Sequence, residues 1–150
     1  MEVTLTLALP QDHLSVPLAR RILSRSLDSL GIDRDTVSDI ELALTEACTN
    51  VLDHARGDDD YVVSVGIDGR MCTIEVIDRG TGFDGSLHGL ADAAHSAEEG
   101  RGVQLMRGLM DHLEFQSRPI TGTVVHLEKR LSWPADSPIG RLDPEVTNPR

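Results

Sequence analysis

The chain has 150 residues and a formal net charge of −11, from 14 basic against 25 acidic side chains. This length accommodates one domain with a real core and is short for two, while the acidic balance excludes binding nucleic acid through its phosphates, which needs clustered Lys and Arg. No apolar run approaches the roughly 20 residues of a membrane span, so a cytoplasmic protein without membrane or direct nucleic-acid contacts is expected.

Aromatic residues make up only 3%, so the core must be built from Leu, Val, Ile and Ala. Cys48 and Cys72 have no Cys or His at metal-ligand spacing and read as buried, reduced thiols. In chain order, Val3 to Leu9 alternates and stops at Pro10, which predicts a half-buried strand suited to a sheet edge. Ser15 to Leu30 carries a broad apolar stripe, with Ser15 as its expected cap, Pro17 in the first turn and Gly31 as its stop. Asp33 to Ala55 predicts a longer helix on which Val37, Ile40, Leu44, Ala47, Cys48, Val51 and Leu52 face a sheet. Glu46, Asn50 and Asp53 fall together on a neighbouring face.

Tyr61 to Asp68 and Met71 to Asp78 predict two strands joined through Asp68-Gly69, a strong hairpin signal. Residues 80 to 100 are rich in Gly, Ala, Ser and acids, and read as a mobile lid or a short helix. Val103 to His112 predicts a helix, and Leu113 to Ser117 and Gly122 to Leu131 two more strands. From Ser132 onward there are four prolines in nineteen residues and no periodicity. Residues 132–150 are therefore expected to be a disordered tail outside a domain spanning 1–131. The order strand, two helices, two strands, lid, helix, two strands fits an α/β (α+β) two-layer sandwich. Its sheet would be mostly antiparallel and mixed, with helices on one face. Neither a Rossmann glycine fingerprint nor a P-loop is present.

Four segments can carry chemistry. Glu46 and Asn50, four residues apart, project from one side of a helix. A carboxylate there can serve as a general base and an amide oxygen can help hold Mg²⁺, which needs few protein ligands; a solvated Glu and Asn would leave the same pattern. Asp78 ends an apolar strand, so its carboxylate needs a donor such as an adenine amino group, with Gly80 and Gly82 letting the backbone turn closely. A turn in which Asp78 bonds its own backbone is the plain alternative. Gly100-Arg101-Gly102 offers free N–H groups, a helix dipole and a guanidinium to an anion, and Thr123 places a hydroxyl at the start of the last strand.

The ordered set Glu46-x-x-x-Asn50, Asp78-x-Gly80-x-Gly82-Phe83, Gly100-Arg-Gly-Val-Gln-Leu-Met106 and Gly122-Thr-Val-Val-His-Leu resembles the GHKL ATPase superfamily. Within it, the chain is similar to the bacterial anti-sigma-factor serine/threonine kinases, over about residues 1 to 131. The resemblance implies a Bergerat-type ATP-binding fold using ATP and Mg²⁺. It implies Glu46 as the catalytic base, Asn50 as the metal ligand, and Asp78 with Gly80 and Gly82 as the adenine pocket. Gly100, Arg101 and Gly102 would be the phosphate segment, and Thr123 would lie near the adenine. The expected partners are a sigma factor, an anti-sigma-factor antagonist protein that is phosphorylated and, in a homodimer, a second copy of the chain. The alternative is an ATP-binding sequestration module that regulates a partner without phosphoryl transfer.

Overall fold

Strand β1 (Glu2–Leu9) turns Val3, Leu5, Leu7 and Leu9 to one side and its threonines to solvent. It forms one edge of a five-stranded sheet in the structure, a computed structural model that describes residues 1–54, 59–78, 97–118 and 122–144. Helix α1 (Ser15–Leu30) buries Val16, Ala19, Leu23 and Leu27. Gly31 stops it at φ 82°, and the Ile32 N–H reaches back to the Leu27 carbonyl. Glycine adopts this left-handed stop without strain. Ser15 does not cap the helix. It lies just inside, where its hydroxyl faces the core and bonds the Asp12 carbonyl at 2.7 Å and the Tyr61 hydroxyl at 2.6 Å.

Helix α2 (Arg34–His54) carries the predicted stripe, with Val37, Ile40, Ala43, Leu44, Ala47, Cys48 and Val51 all buried. It packs against α1 and on the sheet. Strands β2 (Tyr61–Asp68) and β3 (Met71–Asp78) form the antiparallel hairpin expected from Asp68-Gly69, with Gly69 at φ 57°. Helix α3 (Ala97–Leu109) is followed by β4 (His112–Arg118) and β5 (Gly122–Arg130). Two boundaries move relative to the sequence reading. The helix begins six residues before Val103, since Ala and Glu at 97–99 are strong helix formers. His112 belongs to β4, where it pairs with Glu128.

The sheet order is β1-β2-β3-β5-β4, and among the described residues every pairing is antiparallel, in place of the mixed sheet expected. Tyr61, Val63, Val65, Ile67, Cys72, Ile74, Val76, Val125 and Leu127 share a core with α1, α2 and α3. Each fully buried aliphatic side chain there contributes about 1.5–3 kcal/mol relative to exposure. On the other face, His126 lies between Glu75 (3.2 Å) and Glu128 (2.9 Å), with the His112 ring 6.2 Å away. Burial works against its charge, but the bonds to Glu128 and Glu75 outweigh that and hold its pKa above the usual histidine value.

The expectation of a disordered tail from Ser132 is corrected as far as residue 144. Leu131, Trp133 and Ile139 are buried in the core cluster. Trp133 lies under the Arg70 guanidinium at 4.2 Å, and Ser137 caps a short helix α4 (Pro138–Leu142). The Ser132 carbonyl accepts from Asp33, and the Asp143 carboxylate pairs with the Met1 ammonium at 2.5 Å. Gly31 leaves room for this segment, because a Cβ there would meet Pro138 and Ser137 at 2.7 Å. Residues 145–150 lie outside the described residues.

Candidate nucleotide site

The second half of α2 supplies two of the sequence-predicted residues. Helical spacing puts Glu46 and Asn50 one turn apart on the side that meets α3. The two helices touch where Gly102 has no side chain. A Cβ at Gly102 would stand 2.7 Å from Glu46 Oε2, 3.7 Å from its Cδ and 3.9 Å from Asn50 Oδ1. Residues far apart in sequence are thus brought together by a close helix–helix approach at a glycine. Asn50 is 7% exposed. Asp53, one turn further on, faces solvent beside His13 at 3.7 Å and does not join the cluster.

The second part lies at the end of the sheet. Asp78 and Thr123 are register partners on β3 and β5, and Tyr61 flanks Asp78 from β2. All three point into the layer between sheet and helices and are buried, Asp78 completely. A carboxylate withdrawn from water in this way requires hydrogen-bond donors. Tyr61 ties the region to both neighbouring helices. Ser15 donates to the Asp12 carbonyl, so the Tyr61 hydroxyl donates to Ser15, and its oxygen remains for the Cys48 thiol. Burial pushes the Cys48 thiol and the Tyr61 hydroxyl each up to about 12. Both stay protonated and act as structural ties.

Gly100 is buried and Arg101 is exposed on α3. Because the helix begins at Ala97, Gly100 to Gly102 lie in its first two turns and not before it. The backbone donors left free at a helix start are its first four. Gly100 is the last of these, and the Gly102 N–H lies within the helix. Gly80 and Gly82 lie outside the described residues. Among the described residues no group of three or more His, Cys, Asp or Glu could hold a metal. A cation kept by one amide oxygen and by phosphates is compatible with Asn50, since Mg²⁺ retains several waters. The donor set therefore fits a magnesium nucleotide, with a hard amide oxygen on α2 and a buried carboxylate at the sheet end.

Sequence reasoning did not single out the cavity that reaches Glu46 from the other side. It has a volume of about 390 Å³ and is lined by Arg20, Glu41, Leu42, Thr45 and Glu46. Its lining contains none of Asn50, Asp78 or Thr123. Leu42 is half exposed at its rim. Arg20 and Leu42 belong to no motif; Leu42 precedes Glu46 by one turn of α2, and the packing of α1 on α2 brings Arg20 beside them.

A family described as the histidine kinase-like ATPase domain matches residues 9–129. The chain belongs to this family. Its relatives include a serine-protein kinase RsbW of Bacillus velezensis, 29% identical over 135 residues and 83% of each chain. An RsbW of Halalkalibacterium halodurans is 30% identical, over 85% of this chain and 83% of the relative. An anti-sigma F factor of a Thermoanaerobacter species is 31% identical, over 75% and 83%. The same fold occurs in the solved RsbU and RsbW domains of Rv1364c from Mycobacterium tuberculosis, with a TM-score of 0.67 and 24% identity. That match covers 88% of this chain and 33% of the other. No helix among the described residues is long and apolar enough to cross a membrane.

Proposed function

We propose that the chain is an ATP-dependent anti-sigma factor with serine/threonine protein kinase activity, which sequesters a sigma factor and phosphorylates an antagonist protein. The relatives' names support the class. One observation carries the catalytic part: Glu46 and Asn50 both face Gly102, and Glu46 also lines an open cavity that Asn50 does not. A group between a nucleotide face and a solvent-open face can meet both the donor and a protein hydroxyl.

In this reading Asp78 accepts a hydrogen bond from the adenine amino group, with Thr123 beside it and Gly80 and Gly82 completing the pocket. Asn50 would hold Mg²⁺, which when bound neutralises phosphate charge. Gly100 and Arg101 face the phosphates. The serine or threonine hydroxyl enters from the cavity side. Its oxygen forms a bond to the γ-phosphorus as the bond to the β–γ bridging oxygen breaks, and Glu46 takes the hydroxyl proton. Catalysis here is positioning and charge stabilisation.

Glu46→Gln tests this directly. It keeps size and hydrogen bonding and removes the basic oxygen. General-base assistance is worth about 10²–10⁴-fold, so transfer to a co-encoded antagonist should fall by that factor. Mg·ATP affinity and capture of the sigma factor should persist. A variant transferring at the parental rate shows that Glu46 is not the base. A parent that transfers nothing makes the chain a sequestration module.

A further inference from the structure

Lys129 is the only lysine in the chain. It lies on β5 and turns inward with Val125 and Leu127, and its side chain is only 17% exposed. Its ammonium donates to the carbonyl of Leu109, the last residue of α3, at 2.5 Å and to Asp39 Oδ2 on α2 at 3.1 Å. One charge therefore joins the sheet, the site helix and the C-terminus of α3, where a helix presents unsatisfied carbonyls and negative potential. The neighbouring β5 residues reinforce the corner. The Asp111 N–H donates to the Glu128 carbonyl at 2.9 Å, and the Arg130 N–H to Asp111 Oδ2 at 2.6 Å. The C-terminal end of α3 is thus bonded to β5, while Gly102, near the other end, meets Glu46 through bare contact.

That arrangement is a lever. Gly102 and Leu109 are separated by about 10 Å of helix, so a tilt of about 5° at the clamp moves Gly102 by about 0.9 Å. The contact it governs is a close one, since a Cβ there would stand 2.7 Å from the Glu46 carboxylate, and the position of that carboxylate follows the helix. We propose that Lys129 is a positioning residue for phosphoryl transfer: by bonding Leu109 and Asp39 together it sets the tilt of α3, and with it the seat of Glu46 against Gly102. The claim rests on the kinase reading for its consequence in rate, and on geometry alone for the displacement.

The test is Lys129→Met, which keeps most of the apolar stem and removes the ammonium. Asp39 is partly exposed and can turn to water, so the variant should fold. Its transfer rate at saturating Mg·ATP should fall at least tenfold, because a 1 Å misplacement can cost about 10²-fold. Apparent affinity for adenosine should change less than twofold, since Asp78 and Thr123 lie on the sheet. Trp133→Leu, which breaks the Arg70 stack on the C-terminal segment, serves as a control for lost stability and should keep parental transfer. Equal losses in the two variants at matched melting temperature would make Lys129 merely stabilising and overturn the proposal. The Gly102 amide resonance gives a readout independent of activity. It should move in Lys129→Met while Gly69, on the hairpin, stays. An unmoved Gly102 resonance overturns the proposal even in an active kinase. A parent without transferase activity overturns the kinase reading instead, and the Gly102 resonance still decides the positioning.

Discussion

Replacing Gly102 by alanine separates catalysis from stability. The added Cβ would stand 2.7 Å from Glu46 Oε2, against 3.4 Å for an ordinary contact. The carboxylate must therefore retreat by about 0.7 Å, the difference between these two values. It can do so cheaply, because the atom met is the far end of a flexible side chain. An off-rotamer Glu costs about 0.5–1.5 kcal/mol, and alanine in place of glycine inside a helix returns about 0.5–1 kcal/mol. These nearly cancel, so the melting temperature should stay within a few degrees of the parent. The chemistry should not escape. A displacement approaching 1 Å costs up to about 10²-fold, and a 10- to 100-fold loss corresponds to about 1.4–2.7 kcal/mol in the barrier. Transfer of labelled phosphate to the antagonist at saturating Mg·ATP, with nucleotide affinity measured by calorimetry, reads both quantities. Parental transfer in a normally folded Gly102→Ala protein would refute the argument that this glycine exists to seat Glu46.

Asp78→Asn should weaken ATP binding roughly tenfold or more, since a charge-assisted hydrogen bond in a buried site is worth about 1.5–3 kcal/mol; unchanged affinity by calorimetry would put the adenine elsewhere. Truncation after Leu131 removes the buried Trp133 and Ile139, each worth about 1.5–3 kcal/mol, so thermal unfolding should shift down by many degrees, and an unshifted transition would mean that the segment does not pack. His126 has a raised pKa in the folded state, so its protonated form stabilises the fold fully below the unfolded value of about 6.5, and this contribution disappears as pH rises through the folded value. The melting-temperature deficit of His126→Gln should therefore be largest near pH 6 and shrink toward pH 8; a deficit independent of pH would show that the ring is not held charged.

Much of the fold is legible in the sequence because its signals are local. Alternation marks β1 and β5, Asp68-Gly69 marks the hairpin, and Gly31 marks the end of α1. The C-terminal segment was illegible for the opposite reason. Trp133 and Ile139 are isolated apolar residues among prolines, with no period to reveal them; Trp133 stacks with Arg70, and it is Ser137 and Pro138 that fit against the bare backbone at Gly31. The spacing of Glu46 and Asn50 on one helix could be read directly, but not that α3 would cross at Gly102 or that Arg20 from α1 would approach the same carboxylate. Nor did the glycines reveal that α3 starts at Ala97, since helix starts depend on propensities that differ little among neighbours. Asp78 and Thr123 could each be suspected alone. Their adjacency depends on β5 inserting between β3 and β4, a topological fact.

Burial of both thiols gives the protein a chemical memory of its own opening. Cys48 and Cys72 are wholly enclosed, and burial pushes both up to about 12. The thiolate, which is the reactive form, is therefore far scarcer in the native protein at pH 7 than in an exposed cysteine. Alkylating reagents and mild oxidants therefore find no target until a segment opens. Cys48 lies on the helix that carries Glu46 and Asn50, and Cys72 lies on the central strand β3. The rate at which each is labelled counts the openings of its own element, with no probe introduced. A ligand that steadies α2 would slow the labelling of Cys48 in direct proportion to the openings it suppresses, while Cys72 keeps time for the sheet.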